Sequence, residues 1–180
     1  MALHRANVTE SERAAVMGFD WDNFKSWNIE YGYINTLNSE AINKAIREGA
    51  IYSLPERSQQ TIRDLRHMIE ANLIDEDLIA SRFVDETWIH SQIGEIGNIT
   101  DLIEKGTVIH DNQFVSCSLT DASIYNTRAV KLEISIPKGT NAYVTENRME
   151  SEMILFKPSY KLKSVAETPE GQLIIQCEVI

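Results

Sequence analysis

The sequence predicts an α+β protein whose helices precede its strands, and two observations indicate this fold class. From residue 9 to about 75, apolar residues recur at helical spacing; from about 78 they form short strand-like runs separated by turn residues. Helices followed by strands are typical of α+β domains. With 180 residues, 43% of them hydrophobic, the chain can bury one core. We therefore expect one domain over residues 1–180, with a helical part at 1–75 and a strand-rich part at 76–180.

The helical part carries start and end signals for several helices. Thr9 and Glu12 form a capping box ahead of an apolar run. The segment NSEAINKAIREG ends on Gly49, a residue that suits the position just after a helix. In LPERSQQTIRDLRHMIEANL, Pro55 is expected at the first helical position. The apolar stripe of this helix is expected to comprise Ile62, Leu65, Ile69 and Leu73. These signals predict three or four packed helices.

The strand-rich part consists of short runs with turn material such as IPKGTN, FKPS and TPEG between them. The predicted strands are LIASRFV, FVSCSL, VKLEISI, AYVT, SEMILF, KLKSV and QLIIQCEVI. One further helix is expected at ITDLIEKG, with Thr100 as its cap and Gly106 near its end.

Composition and charge disfavour several classes of partner. The formal charge of −10 disfavours non-specific binding to nucleic acid or acidic lipid, without excluding a local basic groove. No stretch approaches the roughly 20 apolar residues of a membrane helix, and the N-terminus lacks the features of a signal peptide. Cys117 and Cys177 show neither metal-ligand nor redox spacing, and the histidines show no paired metal spacing. We expect a cytoplasmic protein with buried, reduced thiols and no metal.

Two acidic residues open one of the predicted strands. In RMESEMILF, Glu150 and Glu152 are two residues apart and would project from the same face of a strand. Two carboxylates this close repel each other, and at least one pKa rises unless a cation or hydrogen-bond donors oppose the charge. An exposed strand end would also accommodate them.

Two other strands carry polar residues that could serve such a pair. In FVSCSLT, alternation places Phe114, Ser116 and Ser118 on one face, where small hydroxyls can donate to a carboxylate. A serine-rich solvent face is the simpler interpretation. In LIASRFV, Arg82 interrupts a strand otherwise built of apolar and small residues; it suits an ion pair, a snorkelling surface position or the binding of a pyrophosphate.

In this order, the three segments resemble the Arg/Ser-x-Ser/Glu-x-Glu signature of mono-ADP-ribosyltransferases related to clostridial binary toxins and T4-type phage transferases. The segments IPKGTNAYV, IEKGTVIHDNQFVSCSL, YGYINTLN and IDEDLIASR are also similar to the family's surrounding sequence, so the resemblance extends from about residue 26 to 180. It implies a helical cap followed by a mainly antiparallel two-sheet core that binds NAD as co-substrate. The enzyme would split NAD and pass ADP-ribose to a protein side chain.

The resemblance implies a role for each motif residue. Glu152 matches the catalytic glutamate, Ser116 the serine that holds it, and Ser118 a supporting serine of the same strand. Arg82 matches the arginine that anchors the NAD phosphates. Glu150 matches the residue that serves the acceptor, and glutamate there implies transfer to arginine, whose protonated guanidinium needs a neighbouring carboxylate.

Further residues are assigned to NAD binding by the same resemblance. Tyr125 and Arg128 match an aromatic and a second arginine of the phosphate–nicotinamide loop, and Gln113 matches a polar contact on the adenosine side. Phe83 stands where relatives have the glycine that lets backbone groups approach nicotinamide, so this contact is expected to differ. Cys117 replaces the usual middle threonine of the serine motif and is expected to face the core.

Several functions remain open within and beyond this class. The first is an arginine-directed transferase acting on a target protein in the cytoplasm of the producing or the target cell, as a phage-delivered enzyme, a toxin with an antitoxin or immunity partner, or an effector domain. The acceptor could instead be a nucleic-acid base, which the net acidity disfavours, or water, which would make the protein an NAD glycohydrolase. A protein of the same fold that binds NAD without turnover is the alternative of another class, and Phe83 is its support.

Overall fold

The computed structural model describes residues 36–93, 99–119, 127–144 and 152–180. Their α-helices are α1 (Thr36–Glu48), α2 (Glu56–Ala71), α3 (Glu86–Ile93) and α4 (Ile99–Glu104), and a single 3-10 turn, Ile51–Ser53, lies between α1 and α2. None of the helices in these ranges is long and apolar enough to cross a membrane. The predicted capping box of Thr9 and Glu12 lies outside the described residues.

In the described ranges, eight strands form one sheet, seven of them on or close to predicted segments. The strands are β1 (Leu78–Val84), β2 (Val108–His110), β3 (Phe114–Ser118), β4 (Val130–Ile136), β5 (Tyr143–Val144), β6 (Glu152–Phe156), β7 (Ser159–Glu167) and β8 (Leu173–Val179). Their spatial order is β2-β7-β8-β4-β1-β3-β6-β5. Neighbouring strands are antiparallel except β4 and β8, which are parallel. The helices and this mostly antiparallel sheet confirm the α+β prediction.

The sheet has two parts that meet between β1 and β3. β1 pairs with β4 along its whole length, from Leu78 opposite Ile136 to Val84 opposite Val130. Within the described residues, its pairing with β3 consists of one residue pair, Ser81 opposite Ser118. The two predicted sheets are therefore joined at a short junction, with β3, β6 and β5 on one side of it.

The two faces of β3 and β6 contribute to separate apolar clusters. The larger cluster contains the alternate residues Leu78, Ala80 and Val84 of β1, together with side chains of all the other strands. The second cluster lies where α1 and α2 pack against β3, β6 and β5, and includes Leu65, Phe114 and Ile154. A fully buried side chain of this size contributes roughly 1.5–3 kcal/mol relative to an exposed one. These clusters therefore fix the strands that carry the predicted site.

At the helix ends, the structure confirms one sequence prediction and corrects three. Gly49 has φ +67° and follows α1 as predicted, and the Ala50 N–H donates to the Ala45 carbonyl at 2.8 Å. Pro55 is the N-cap of α2 and not its first helical residue, because its ψ of 147° is extended. Leu73 lies beyond the end of α2 and is 65% exposed, so its assignment to the apolar stripe was wrong. Thr100 was predicted to cap α4 but lies within it.

Candidate active site

The central contact of the site joins β3 to β6. The Ser116 hydroxyl donates a short hydrogen bond to Oε2 of Glu152. The side chain of Glu152 is buried, with 6% of the residue exposed, although it opens β6. A buried carboxylate requires hydrogen bonds or a counter-charge because burial penalises its ionised form. Ser116 supplies such a bond, which fixes the orientation of the carboxylate.

The register of the strands explains why these two side chains meet. In the antiparallel β3–β6 pair, Ser118 lies directly opposite Glu152 and Ser116 opposite Ile154. Directly opposed residues share a face, and so do residues two apart along a strand. Ser116, Ser118 and Glu152 therefore project from the same face. Ser118 is buried and also lies opposite Ser81, at the junction of the sheet.

The Arg82 side chain contacts this site at the main-chain carbonyl of Ser116. Strand alternation places its Cβ on the same side of the sheet as Ala80 and Val84, the side opposite to Ser116 and Glu152. Its Nη1 donates to the main-chain carbonyl of Ser116 at 2.9 Å. Within the described ranges, its buried Nε has no hydrogen-bond partner. The geometry thus shows Arg82 holding the serine strand, whereas its predicted contact with NAD phosphates stays a prediction.

Gln113, just before β3, and Phe114, the first residue of β3, each contact one residue of α1 that the sequence did not single out. The Arg47 guanidinium donates a short hydrogen bond to Oε1 of Gln113. Oδ1 of Asn43 accepts a bond from the Phe114 N–H at 3.0 Å. Asn43 and Arg47 are four residues apart and so share one face of α1. That polar pair on an otherwise amphipathic helix was the signal available in the sequence.

The remaining predicted residues divide into two groups. Arg128 is near the end of β1, where its Nη1 donates to the Phe83 carbonyl at 3.3 Å. Phe83 is buried at 7% exposure, next to Arg82 in β1. Tyr125 and Glu150 lie outside the described residues, so their predicted positions remain predictions.

A second buried carboxylate, Asp111, lies beside this end of the site. It is 1% exposed, and its Oδ2 accepts a bond from Nε1 of Trp88 in α3 at 3.2 Å. Burial raises the pKa of Asp111, whereas the charge of Arg82, the bond from Trp88, the charge of Arg47 and a side-chain bond with Gln113 each lower it. Asp111 is therefore close to groups from β1, α1 and α3.

The two cysteine thiols are also buried, and burial makes them unreactive. Both cysteines are free and buried, and burial raises the pKa of Cys117 and of Cys177 to about 12. Cys117 faces the large apolar cluster, as the alternation of β3 predicted. Within the described ranges, no group of three or more His, Cys, Asp or Glu side chains is arranged to hold a metal ion.

The family follows from comparison with known proteins. The model of the ADP-ribosyltransferase exoenzyme family matches residues 28–176. This chain therefore belongs to the ADP-ribosyltransferase exoenzyme family, which confirms the resemblance deduced from its motifs. Among curated protein sequences, none is significantly similar to it.

Solved structures show the same fold at low sequence identity. C3stau2 from S. aureus, crystallised with NAD, has a TM-score of 0.69 and 20% identity over 96% of both chains. The Clostridium limosum C3 exoenzyme has a TM-score of 0.70 and 17% identity over 94% of this chain and 90% of its own. The C2-I component of Clostridium botulinum C2 toxin has a TM-score of 0.69 and 19% identity, with 97% of this chain matching 47% of the toxin chain. This chain thus matches about half of C2-I.

Proposed function

We propose that this protein is a mono-ADP-ribosyltransferase that cleaves NAD at the nicotinamide–ribose bond and transfers ADP-ribose to arginine of a target protein. The observation that carries the proposal is the buried Glu152 carboxylate, held by the Ser116 hydroxyl across two strands. Membership of the exoenzyme family and the fold shared with the NAD-bound C3stau2 structure support NAD as the substrate.

The chemistry requires a fixed negative charge beside the ribose. When the bond between the ribose C1′ and the nicotinamide nitrogen breaks, its electron pair leaves with nicotinamide and positive charge develops on the ribose. A carboxylate already in place stabilises that charge without reorganising, a contribution of a few kcal/mol for one preorganised group. Glu152 supplies the carboxyl group, and its rotamer is fixed by Ser116.

The pyrophosphate of NAD requires cations near this carboxylate. Arg47 approaches from α1, where it contacts Gln113, and Arg128 lies at the end of β1, where it contacts the Phe83 carbonyl. Guanidinium groups suit phosphate oxygens because they are planar and permanently charged. We assign the pyrophosphate to Arg47 and Arg128, with Arg82 fixing the strand between them and also available as a donor.

Transfer to arginine assigns a separate role to Glu150. The acceptor nitrogen forms the new bond to C1′ and must lose a proton, because arginine enters the reaction as a guanidinium ion. Glu150 precedes Glu152 by two residues and would accept that proton or orient the acceptor. This assignment predicts that cleavage of NAD and transfer to the acceptor can be separated by mutation.

Labelled NAD tests the proposal directly. The protein is incubated with NAD carrying label in its ADP-ribose part and with a cell lysate, and the product is treated with protease or nuclease. Glu152→Gln should abolish both nicotinamide release and labelling. Glu178→Gln is the matched control, because Glu178 is a half-buried strand glutamate of β8 that pairs with Lys163 at 3.3 Å, and β4 and β1 separate its strand from β3. Mass spectrometry of labelled peptides then identifies the acceptor residue.

Each outcome selects one function. Protease-sensitive label on arginine that disappears with Glu152→Gln supports the proposal, and Glu150→Gln should then lose labelling while still releasing nicotinamide. Label in nuclease-sensitive material indicates a base acceptor. Nicotinamide release without labelling indicates an NAD glycohydrolase. Binding of NAD without release indicates a non-catalytic protein of this fold and refutes the proposal.

A further inference from the structure

Phe83 is a buried aromatic residue that lies outside both apolar clusters. Ala80 and Val84 of the same strand belong to the larger cluster. Of the two clusters formed by the described residues, neither includes Phe83, although only 7% of this residue is exposed. A phenyl ring gains most from apolar or aromatic neighbours, so its burial away from both clusters calls for a reason.

The strand register places the Phe83 ring on the face of the sheet that carries the candidate site. Glu152 lies opposite Ser118, and Ser118 lies opposite Ser81. Phe83 follows Ser81 by two residues, so the two side chains project from the same face of β1. Two strand spacings and one side-chain repeat separate Phe83 from Glu152, a distance on the order of 10 Å along the sheet. A ligand of the size of a nucleoside fits this separation.

The groups around Phe83 on this face are polar or charged. Lys131 of β4 lies directly opposite Phe83. Its ammonium group forms an ion pair with Oε1 of Glu133, two residues further along β4, at 3.5 Å. The Arg128 guanidinium donates to the Phe83 carbonyl at 3.3 Å. Among these groups, the ring of Phe83 is the surface that suits a planar aromatic ligand.

We propose that the Phe83 ring binds the nicotinamide ring of NAD by stacking against it. This inference rests on the proposed function, because it assigns the ligand as NAD with its reacting ribose at Glu152. The nicotinamide ring of NAD is a planar pyridinium cation. The face of a phenyl ring stacks on planar rings and attracts cations, so both properties of this ligand suit Phe83.

The charge on nicotinamide determines which kinetic constant Phe83 affects. When the bond to C1′ breaks, positive charge passes from the nicotinamide ring to the ribose, so the attraction to Phe83 is strongest before the reaction. An interaction of this kind tightens the binding of NAD without lowering the barrier that follows. Its removal should therefore raise the KM for NAD and leave kcat unchanged or higher.

The experiment replaces Phe83 by leucine, which keeps a large apolar side chain but has no aromatic face. We expect the KM for NAD in nicotinamide release to rise roughly 3- to 30-fold, as for loss of a cation–π contact. ADP-ribose lacks the nicotinamide ring, so its dissociation constant in titration calorimetry should stay within about twofold. Nicotinamide methylated on its ring nitrogen is a cation, and Phe83→Leu should weaken its inhibition of NAD cleavage more than inhibition by neutral nicotinamide.

Two further variants serve as controls. Phe156→Leu is the matched control, because Phe156 is a half-buried phenylalanine of β6 that packs against the second cluster, with its ring centroid 4.8 Å from that of Phe114. It should leave the KM for NAD unchanged. Phe83→Tyr keeps the aromatic face and should retain the wild-type KM. Thermal unfolding verifies that each variant folds.

A measurement on the wild-type protein covers the case in which Phe83→Leu does not fold. NMR signals of the Phe83 ring, assigned by their loss in Phe83→Tyr, should shift when ring-methylated nicotinamide is added. Unshifted signals at saturating ligand would overturn the proposal.

The outcomes distinguish this inference from the proposed function. If Phe83→Leu leaves the KM for NAD unchanged, or weakens NAD and ADP-ribose equally, the stacking role is wrong even in an active transferase. If the wild-type protein binds NAD without cleaving it, the proposed function fails, and calorimetry with NAD and ADP-ribose still decides on Phe83. A wild-type protein that binds neither compound overturns both.

Discussion

Replacing Ser116 by alanine should slow NAD cleavage without weakening NAD binding. The substitution removes one oxygen, and with it the hydrogen bond that the Ser116 hydroxyl donates to Oε2 of Glu152. The carboxylate stays buried but becomes free to rotate away from the position where it stabilises the developing ribose charge. The Ser116 hydroxyl donates to Glu152, so its loss removes no direct contact that we assign to NAD.

The magnitude follows from the kind of bond that is lost. A hydrogen bond to a charged group contributes about 1.5–3 kcal/mol, and each 1.36 kcal/mol of transition-state stabilisation is tenfold in rate. If most of this energy serves to hold Glu152 in its catalytic orientation, kcat for nicotinamide release should fall about 10- to 100-fold, with KM for NAD within about twofold. Glu152→Gln should fall further, because it removes the charge itself.

Steady-state nicotinamide release at several NAD concentrations measures both constants. Ser135→Ala is the control, because Ser135 is an exposed serine of β4 and its replacement removes a strand hydroxyl away from the site. Circular dichroism and thermal unfolding verify that each variant folds. If Ser116→Ala keeps kcat within twofold of the wild-type value while Glu152→Gln is inactive, Ser116 does not position the glutamate.

Three further predictions concern stability. Tyr160→Phe should leave stability unchanged or raise it by about 1 kcal/mol in urea unfolding, because the buried hydroxyl has no hydrogen-bond partner in the described ranges; a loss above that size would contradict this. The thiols of Cys117 and Cys177 have pKa values of about 12 in the folded protein and about 9.0 in the unfolded chain. Between these two pH values the unfolded chain loses thiol protons that the folded protein keeps. The free energy of unfolding should therefore be highest below pH 9.0 and fall as the pH rises toward 12. Cys177→Ala should flatten that fall, and an equally steep fall would oppose this reasoning. Asn43→Ala should cost about 1–3 kcal/mol, because the Phe114 N–H loses its acceptor; unchanged urea unfolding would show that water replaces it.

Local sequence patterns predicted the longer elements well because each carries its own periodicity. β1 and β4 lie where their apolar runs placed them, and α1 ends at the glycine that suits its C-terminus. Elements without a repeat were missed: α3 has eight residues of mixed polarity, and β2 has three. Leu73 continues the helical period but falls after the end of α2, since periodicity alone does not show where a helix stops.

The candidate site was predicted in part for a related reason. Alternation within a strand is local, so the shared face of Ser116 and Ser118 could be deduced from β3 alone. The contact of Arg47 with Gln113 joins residues 66 apart in sequence, so the polar pair on α1 could mark Arg47 but could not identify its partner. Likewise, the side of the sheet from which the Arg82 side chain projects, relative to Ser116, depends on the pairing of Ser81 with Ser118. Only the register of the folded sheet defines that pairing.

That register also explains why an arginine stands in an otherwise apolar strand. Within the described residues, the two parts of the sheet share one residue pair between β1 and β3, Ser81 opposite Ser118. The hydrogen bond from Arg82 to the Ser116 carbonyl is a second connection across the same junction, two residues along β3 from Ser118. Moving β3 relative to β1 would displace Ser116, and with it the glutamate that Ser116 holds. A shorter or uncharged side chain at position 82 would lose that connection, so Arg82 can govern catalysis through the strand it anchors even without touching the substrate.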